Sequence, residues 1–314
     1  MLDRSSETLR PDPLGEVLQD LRLSGVSYGR CELSEPWGIA FPAQHAARFH
    51  CLLEGGCWLQ IAGPGVVRLD AGDVVLVPHG AEHALKGTAE APATSIDDMP
   101  LEAIGREVYR LRAGGGGARS TLICCSVEFE EPSVHPLLEL MPPALLVRGG
   151  ARDDPGLATI LGLMAEEVTA PRLAAATVLT RLADVVIVRV IRAWADGRSG
   201  DTTGWLAAIR DRKIGRALVA IHRQPDHDWS VNEMAEVAVM SRSMFSARFA
   251  ALVGMSPARY VARWRMHLAG LWLRRERLTV AEAAARLGYE SDASFSRAFK
   301  RLTGMPPSAL RRSA

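Results

Sequence analysis

No stretch of this 314-residue chain reaches 18 uncharged apolar residues, so the sequence contains no candidate membrane-spanning helix. The best run, "ADVVIVRVIRAW" from Ala183, is short and interrupted by Arg189 and Arg192. The opening "MLDRSSETLRPDPLG" lacks the apolar core of a signal peptide, so the expectation is a cytoplasmic protein with no membrane partner. Cysteine is scarce as well. Cys31, Cys51, Cys57, Cys124 and Cys125 are the full set, and in a reducing compartment they are expected as thiols rather than as a disulfide framework. The glycine run at 114–117 is not followed by Lys-Ser/Thr, which excludes a phosphate-binding loop.

What is present is the composition of a globular protein, 48% hydrophobic and 23% charged, with length enough for two cores. The formal net charge of +1 conceals an asymmetry. From Trp205 onward there are 19 Lys+Arg against 9 Asp+Glu, and residues 1–204 hold the other 18 against 27. The last third is basic enough for a nucleic-acid surface.

That basic segment repeats itself. Ser241, Phe245, Phe249, Gly254, Met255 and Pro257 recur 50 residues later as Ser291, Phe295, Phe299, Gly304, Met305 and Pro307. Upstream the offset is 49, matching Val231 with Val280, Glu233 with Glu282 and Ala235 with Ala284. Ser230-x-x-Glu233 and Thr279-x-x-Glu282 have the form of capping boxes, which start a helix by satisfying its free N–H groups. The change of offset falls between the capped helix and the phenylalanine helix, where a turn is required. Each copy therefore reads as a helix-turn-helix unit whose second helix is tethered by two phenylalanines, leaving a polar face for a DNA groove.

"GYESDASFSRAFKRLTGMPPSALR" resembles the C-terminal signature of the AraC/XylS family of transcriptional regulators, and the resemblance extends over roughly 206–312. It implies two helix-turn-helix units joined by a long helix, here "PARYVARWRMHLAGLWLR" from Pro257 to Arg274, about 27 Å long at the usual rise. By position it assigns DNA contacts to Arg242, Ser243, Ser246 and Ala247 in the first unit. In the second it assigns Ser294, Ser296, Arg297, Lys300 and Arg301. Arg297 is the residue suited to bidentate guanine recognition, and Lys300 and Arg301 look like phosphate contacts. Ala247 departs from the larger polar residue common at its position, which leaves the first unit's sequence preference open.

Residues before 150 offer short apolar runs broken by glycine and proline, such as "VVRLDAGDVVLVPHG" and "STLICCSVEF", and read as a mostly β domain, a barrel or jelly roll. "GDVVLVPHGAEH", Gly72 to His83, matches the second cupin motif, whereas "RFHCLLEGGCWLQIAG" has Arg48 where a metal-binding cupin has its first histidine. His50, Glu54 and His83 remain as candidates for a ligand pocket or a divalent transition metal. A two-residue hairpin at Gly55-Gly56 would pair Glu54 with Cys57, Leu52 with Leu59 and His50 with Ile61, on one interior face. Cys31, beside Arg30, is the candidate reactive thiol for an oxidant, because a neighbouring cation favours thiolate.

The reading is an α+β multidomain chain. It expects a cupin-like sensor domain at 1–150 and a helical dimerisation segment with a linker at 151–204, the linker itself over 196–204. A double helix-turn-helix domain at 205–314 follows. The implied function is a sequence-specific regulator that binds double-stranded operator DNA as a homodimer, with RNA polymerase as a further partner and a small-molecule effector or an oxidant as the signal. The alternative is a metal-dependent cupin enzyme carrying a DNA-binding tail.

Overall fold

In a computed structural model of the chain, the described residues are 13–18, 23–129, 138, 141–149, 154–170, 172–196, 205–274 and 276–312. They form two units, one within 22–130 and 141–201, the other within 1–21, 131–140 and 202–314. In chain order the elements begin with α1 (Pro13–Leu18), β1 (Leu23–Ser34), β2 (Gly38–Phe41), β3 (Ala47–Glu54), β4 (Gly56–Ile61), β5 (Gly65–Asp70) and β6 (Val74–Val77). There follow β7 (His83–Lys86), β8 (Thr94–Ser95), β9 (Glu102–Gly105), β10 (Val108–Gly114), β11 (Arg119–Phe129) and β12 (Leu145–Val147). The helices after the strands are α2 (Pro155–Thr169), α3 (Ala175–Ala195), α4 (Trp205–Arg210), α5 (Arg212–Arg223) and α6 (Val231–Val237). The last five are α7 (Arg242–Val253), α8 (Pro257–Arg274), α9 (Val280–Arg286), α10 (Asp292–Thr303) and α11 (Pro307–Arg312). The linker expected over 196–204 lies outside the described residues from 197 onward.

The strands make two layers. One sheet has seven strands in the order β12-β6-β3-β11-β1-β10-β9, the other five in the order β5-β4-β7-β2-β8. This corrects the expectation of a closed barrel, since among the described residues no ladder joins the two sheets. It also corrects the hairpin. β3 gives its two edges to β6 and β11, so β4 pairs instead with β5 and β7, and Gly55-Gly56 is a corner between the sheets. Gly55 has φ +76°, and a Cβ there would collide with the Arg119 carbonyl, so the corner needs glycine.

Strand alternation divides the buried residues into two layers. Cys31, Leu33, Leu52, Cys57, Leu59, Ile61 and Leu122 fill the space between the sheets. Tyr28, Phe49 and Cys125 align across β1, β11 and β3 on the opposite face, where the Tyr28 hydroxyl meets Thr180 of α3 at 3.2 Å. α3 buries Leu179, Val186, Ile187, Val190, Ile191 and Trp194. Each such side chain contributes about 1.5–3 kcal/mol of burial.

The second unit is all helical. α8 runs through it as the central rod, with Tyr260, Trp264, Met266 and Leu273 buried. α6–α7 and α9–α10 are the two repeats, and α1 packs on α5.

Candidate DNA interface and sensor cavity

Both capping boxes form. Ser230 and Thr279 each accept from the N–H three residues on, and Glu233 and Glu282 reach back to the cap N–H. The turns differ by the one residue that the change of offset requires. Val239 (φ +53°) and Gly288 (φ +71°) take the left-handed turn position, and the second turn holds one more residue before its cap, Ser291. α7 and α10 are both 12 residues, capped by Ser241 and Ser291 and ended by Gly254 and Gly304 at positive φ. Phe245 with Phe249, and Phe295 with Phe299, are fully buried with ring centroids 5.5 and 5.7 Å apart. The tether expected from the sequence is present twice.

On the free faces, Arg242, Ser243 and Ala247 are exposed and Ser246 is half-buried. Arg297, Lys300 and Arg301 are exposed and make no hydrogen bond or ion pair among the described residues. Ser294 is occupied locally, its hydroxyl donating to the Ser291 carbonyl at 2.7 Å, and Ser296 is half-buried. Two residues alter the interface read from sequence. Met244 is 61% exposed on α7 at the position that the 50-residue offset aligns with Ser294, and that alignment was the signal for it. Arg248 is tied to Asp211, the cap of α5, which removes it from the free cations.

In the sandwich, His50 and His83 meet, Nε2 to Nε2 at 2.8 Å, although 33 residues separate them. Phe41 packs on both rings, and the Arg48 guanidinium lies 4.9 Å from its centroid. Burial pushes His83 down to about 4 and His50 well below its usual range, and the Arg48 cation adds to both shifts. Glu54 does not join them. It sits at the far end of β3, where it accepts from Thr121 at 3.3 Å. The described residues contain no group of three His, Cys, Asp or Glu placed to hold a metal. Of the three candidates, only His50 and His83 come together.

Cys31 and Cys124 come together with their sulfurs 3.8 Å apart. Sequence gave no hint of that partner, 93 residues away. The role expected of Arg30 is corrected: consecutive strand residues face opposite ways, and Arg30 is paired with Glu32 at 2.9 Å. The hydrogen bond with Cys31, together with burial, pushes the Cys124 thiol well up. Both cysteines line a cavity of about 240 Å³ with Phe41, Gln44, Arg48 and His50.

These two units define a class: a DNA-binding regulator with an N-terminal β-sandwich. A cupin family model matches residues 12–196, and a helix-turn-helix domain model matches 234–313. An AraC-like transcription regulator of Streptomyces lividans is 31% identical over 96% of this chain and 98% of its own. A second AraC-like regulator, from Streptomyces antibioticus, is 30% identical over 96% and 98%. The HTH-type transcriptional regulator AlkR of Acinetobacter baylyi is 24% identical over 96% and 99%. The chain belongs to the AraC-type family of transcriptional regulators that carry an N-terminal cupin domain. It is a regulator rather than a cupin enzyme.

Proposed function

We propose that the chain binds operator DNA as a homodimer, reading bases from α7 and α10, and that a small effector held in the sandwich cavity sets its affinity. The observation that carries this is the division of labour between the units: unpaired cations on α10, and in the sandwich a half-open, largely apolar cavity lined by Gln44, Arg48 and His50. Exposed Leu163, Leu173, Val178 and Val185 on α2, α3 and their connection support a second copy pairing there. No helix among the described residues is long and apolar enough to cross a membrane, and the proposed site of action is the cytoplasm.

The thiol pair favours a second reading, an oxidant as the signal. A peroxide would oxidise the Cys31 thiolate to a sulfenic acid, leaving as water or alcohol. Condensation with the Cys124 thiol would then form a disulfide and release water. The test selects operator DNA from a genomic library, then titrates its affinity against hydrogen peroxide for wild type, Cys31→Ser and Cys124→Ser. Under the oxidant reading wild type responds and both variants do not. Equal responses in all three remove Cys31 as the sensor. No response in any leaves the effector reading alone.

A further inference from the structure

Arg48 is the anomaly of the sandwich interior. It is 9% exposed and faces between the sheets from β3, in the same alternation as His50 and Leu52. Its Nη2 donates to Gln44 Oε1 at 3.0 Å, but its Nε–H has no partner, and no carboxylate among the described residues lies within ion-pair distance. A buried cation with an idle donor destabilises a fold. Asp97, the acidic residue on the cavity wall, is exposed and forms no ion pair with it.

The histidines complete the pattern. His83 Nδ1 donates to the Ala81 carbonyl at 2.7 Å, so its Nε2 is the acceptor for His50 Nε2–H. That leaves His50 Nδ1 a lone pair, buried and without a partner. Arg48 and His50 both line the cavity, although Arg48 Nε and His50 Nδ1 are themselves closed off by protein, and the wall includes Phe41, Ile96, Leu101 and Tyr109. The cavity measures about 240 Å³ and opens on one side to solvent.

We infer that this cavity holds a compact organic anion, a carboxylate on a small apolar or aromatic body, with the Arg48 guanidinium as its anchor. The inference rests on the effector reading above and names the class of that effector.

Calorimetry on the full chain tests it with benzoate, 3-hydroxybenzoate and the uncharged benzamide. Both acids bind, and benzamide binds at least tenfold more weakly. Arg48→Met loses at least tenfold in affinity for the acids, while Arg48→Lys, which keeps the charge, loses less. Melting temperatures without ligand identify an unfolded variant, and Arg48→Met, freed of an unpaired buried charge, melts no lower than wild type. Equal binding of benzoate and benzamide, or undiminished acid binding by a folded Arg48→Met, overturns the inference. Operator affinity measured with and without the acids separates it from the effector reading. Acid binding through Arg48 with unchanged operator affinity upholds the site and refutes the signalling role. Failure of all acids to bind, with operator affinity still responsive to an uncharged small molecule, refutes the anion and upholds the effector.

Discussion

Arg297 and Lys300 lie one turn apart on α10, both exposed and both without an ion pair among the described residues, yet their chemistry separates their work. A guanidinium can grip a guanine edge with two parallel bonds, whereas an ammonium in the last turn suits a phosphate and the helix C-terminus. Arg297→Ala is expected to cost about 1–3 kcal/mol on the selected operator and to relax base preference at one position. Lys300→Ala is expected to weaken operator and random DNA alike and to reduce the salt slope by about one. Filter binding at several salt concentrations distinguishes them, and unchanged discrimination by Arg297→Ala would rule out its base contact. The exposure of these side chains was legible in the sequence because helical period alone decides it. The environment of Cys31 was not. Its neighbour Arg30 belongs to the opposite strand face, and its real neighbour Cys124 arrives from a strand 93 residues on.

The same limit applies to whole elements. Gly55-Gly56 is compatible with a tight hairpin and with a corner between sheets, and local turn chemistry does not choose between them. The choice falls to β6 and β11, which occupy both edges of β3. The interior face survives that error, since Leu52, Cys57 and Leu59 stay inside whichever strand β4 pairs with. Across the two sheets, His50 of β3 and His83 of β7 form a polar tie. Both imidazoles are held neutral by burial, His83 near 4, and would titrate near 6.5 when unfolded. Between those values the unfolded chain binds more protons. Stability from the pair is therefore complete above about 6.5 and falls as pH drops toward 4, by up to ~1.4 kcal/mol per pH unit for each imidazole. Urea unfolding at pH 7.5 to 4.5 should show this slope, and His83→Gln should flatten it. An equal slope in the variant would assign the acid sensitivity to other groups.

At the scale of the molecule, the two units were unequally readable for a physical reason. The second is built from local contacts, with caps, phenylalanine stripes and glycine stops all within a dozen residues, and its repeat checks each assignment twice. The sandwich depends on pairings far apart in sequence, such as parallel β1 with β10. The second unit also has its own core, in which Met266, Leu273, Phe295 and Phe299 pack together. A fragment from Trp205 onward is accordingly expected to fold as a helical domain and to bind DNA with strong salt dependence. Two losses should mark it. It lacks α1, whose buried Leu18 is 7% exposed, so its melting temperature should fall by the equivalent of about 1.5–3 kcal/mol. It also lacks the proposed pairing surface on α2 and α3, so one fragment should engage a single half-site and bind the full operator more weakly than the whole chain. Circular dichroism melts and gel shifts on one and two half-sites measure both. A helical, soluble fragment with no salt-sensitive DNA binding would place the DNA surface elsewhere than on α7 and α10.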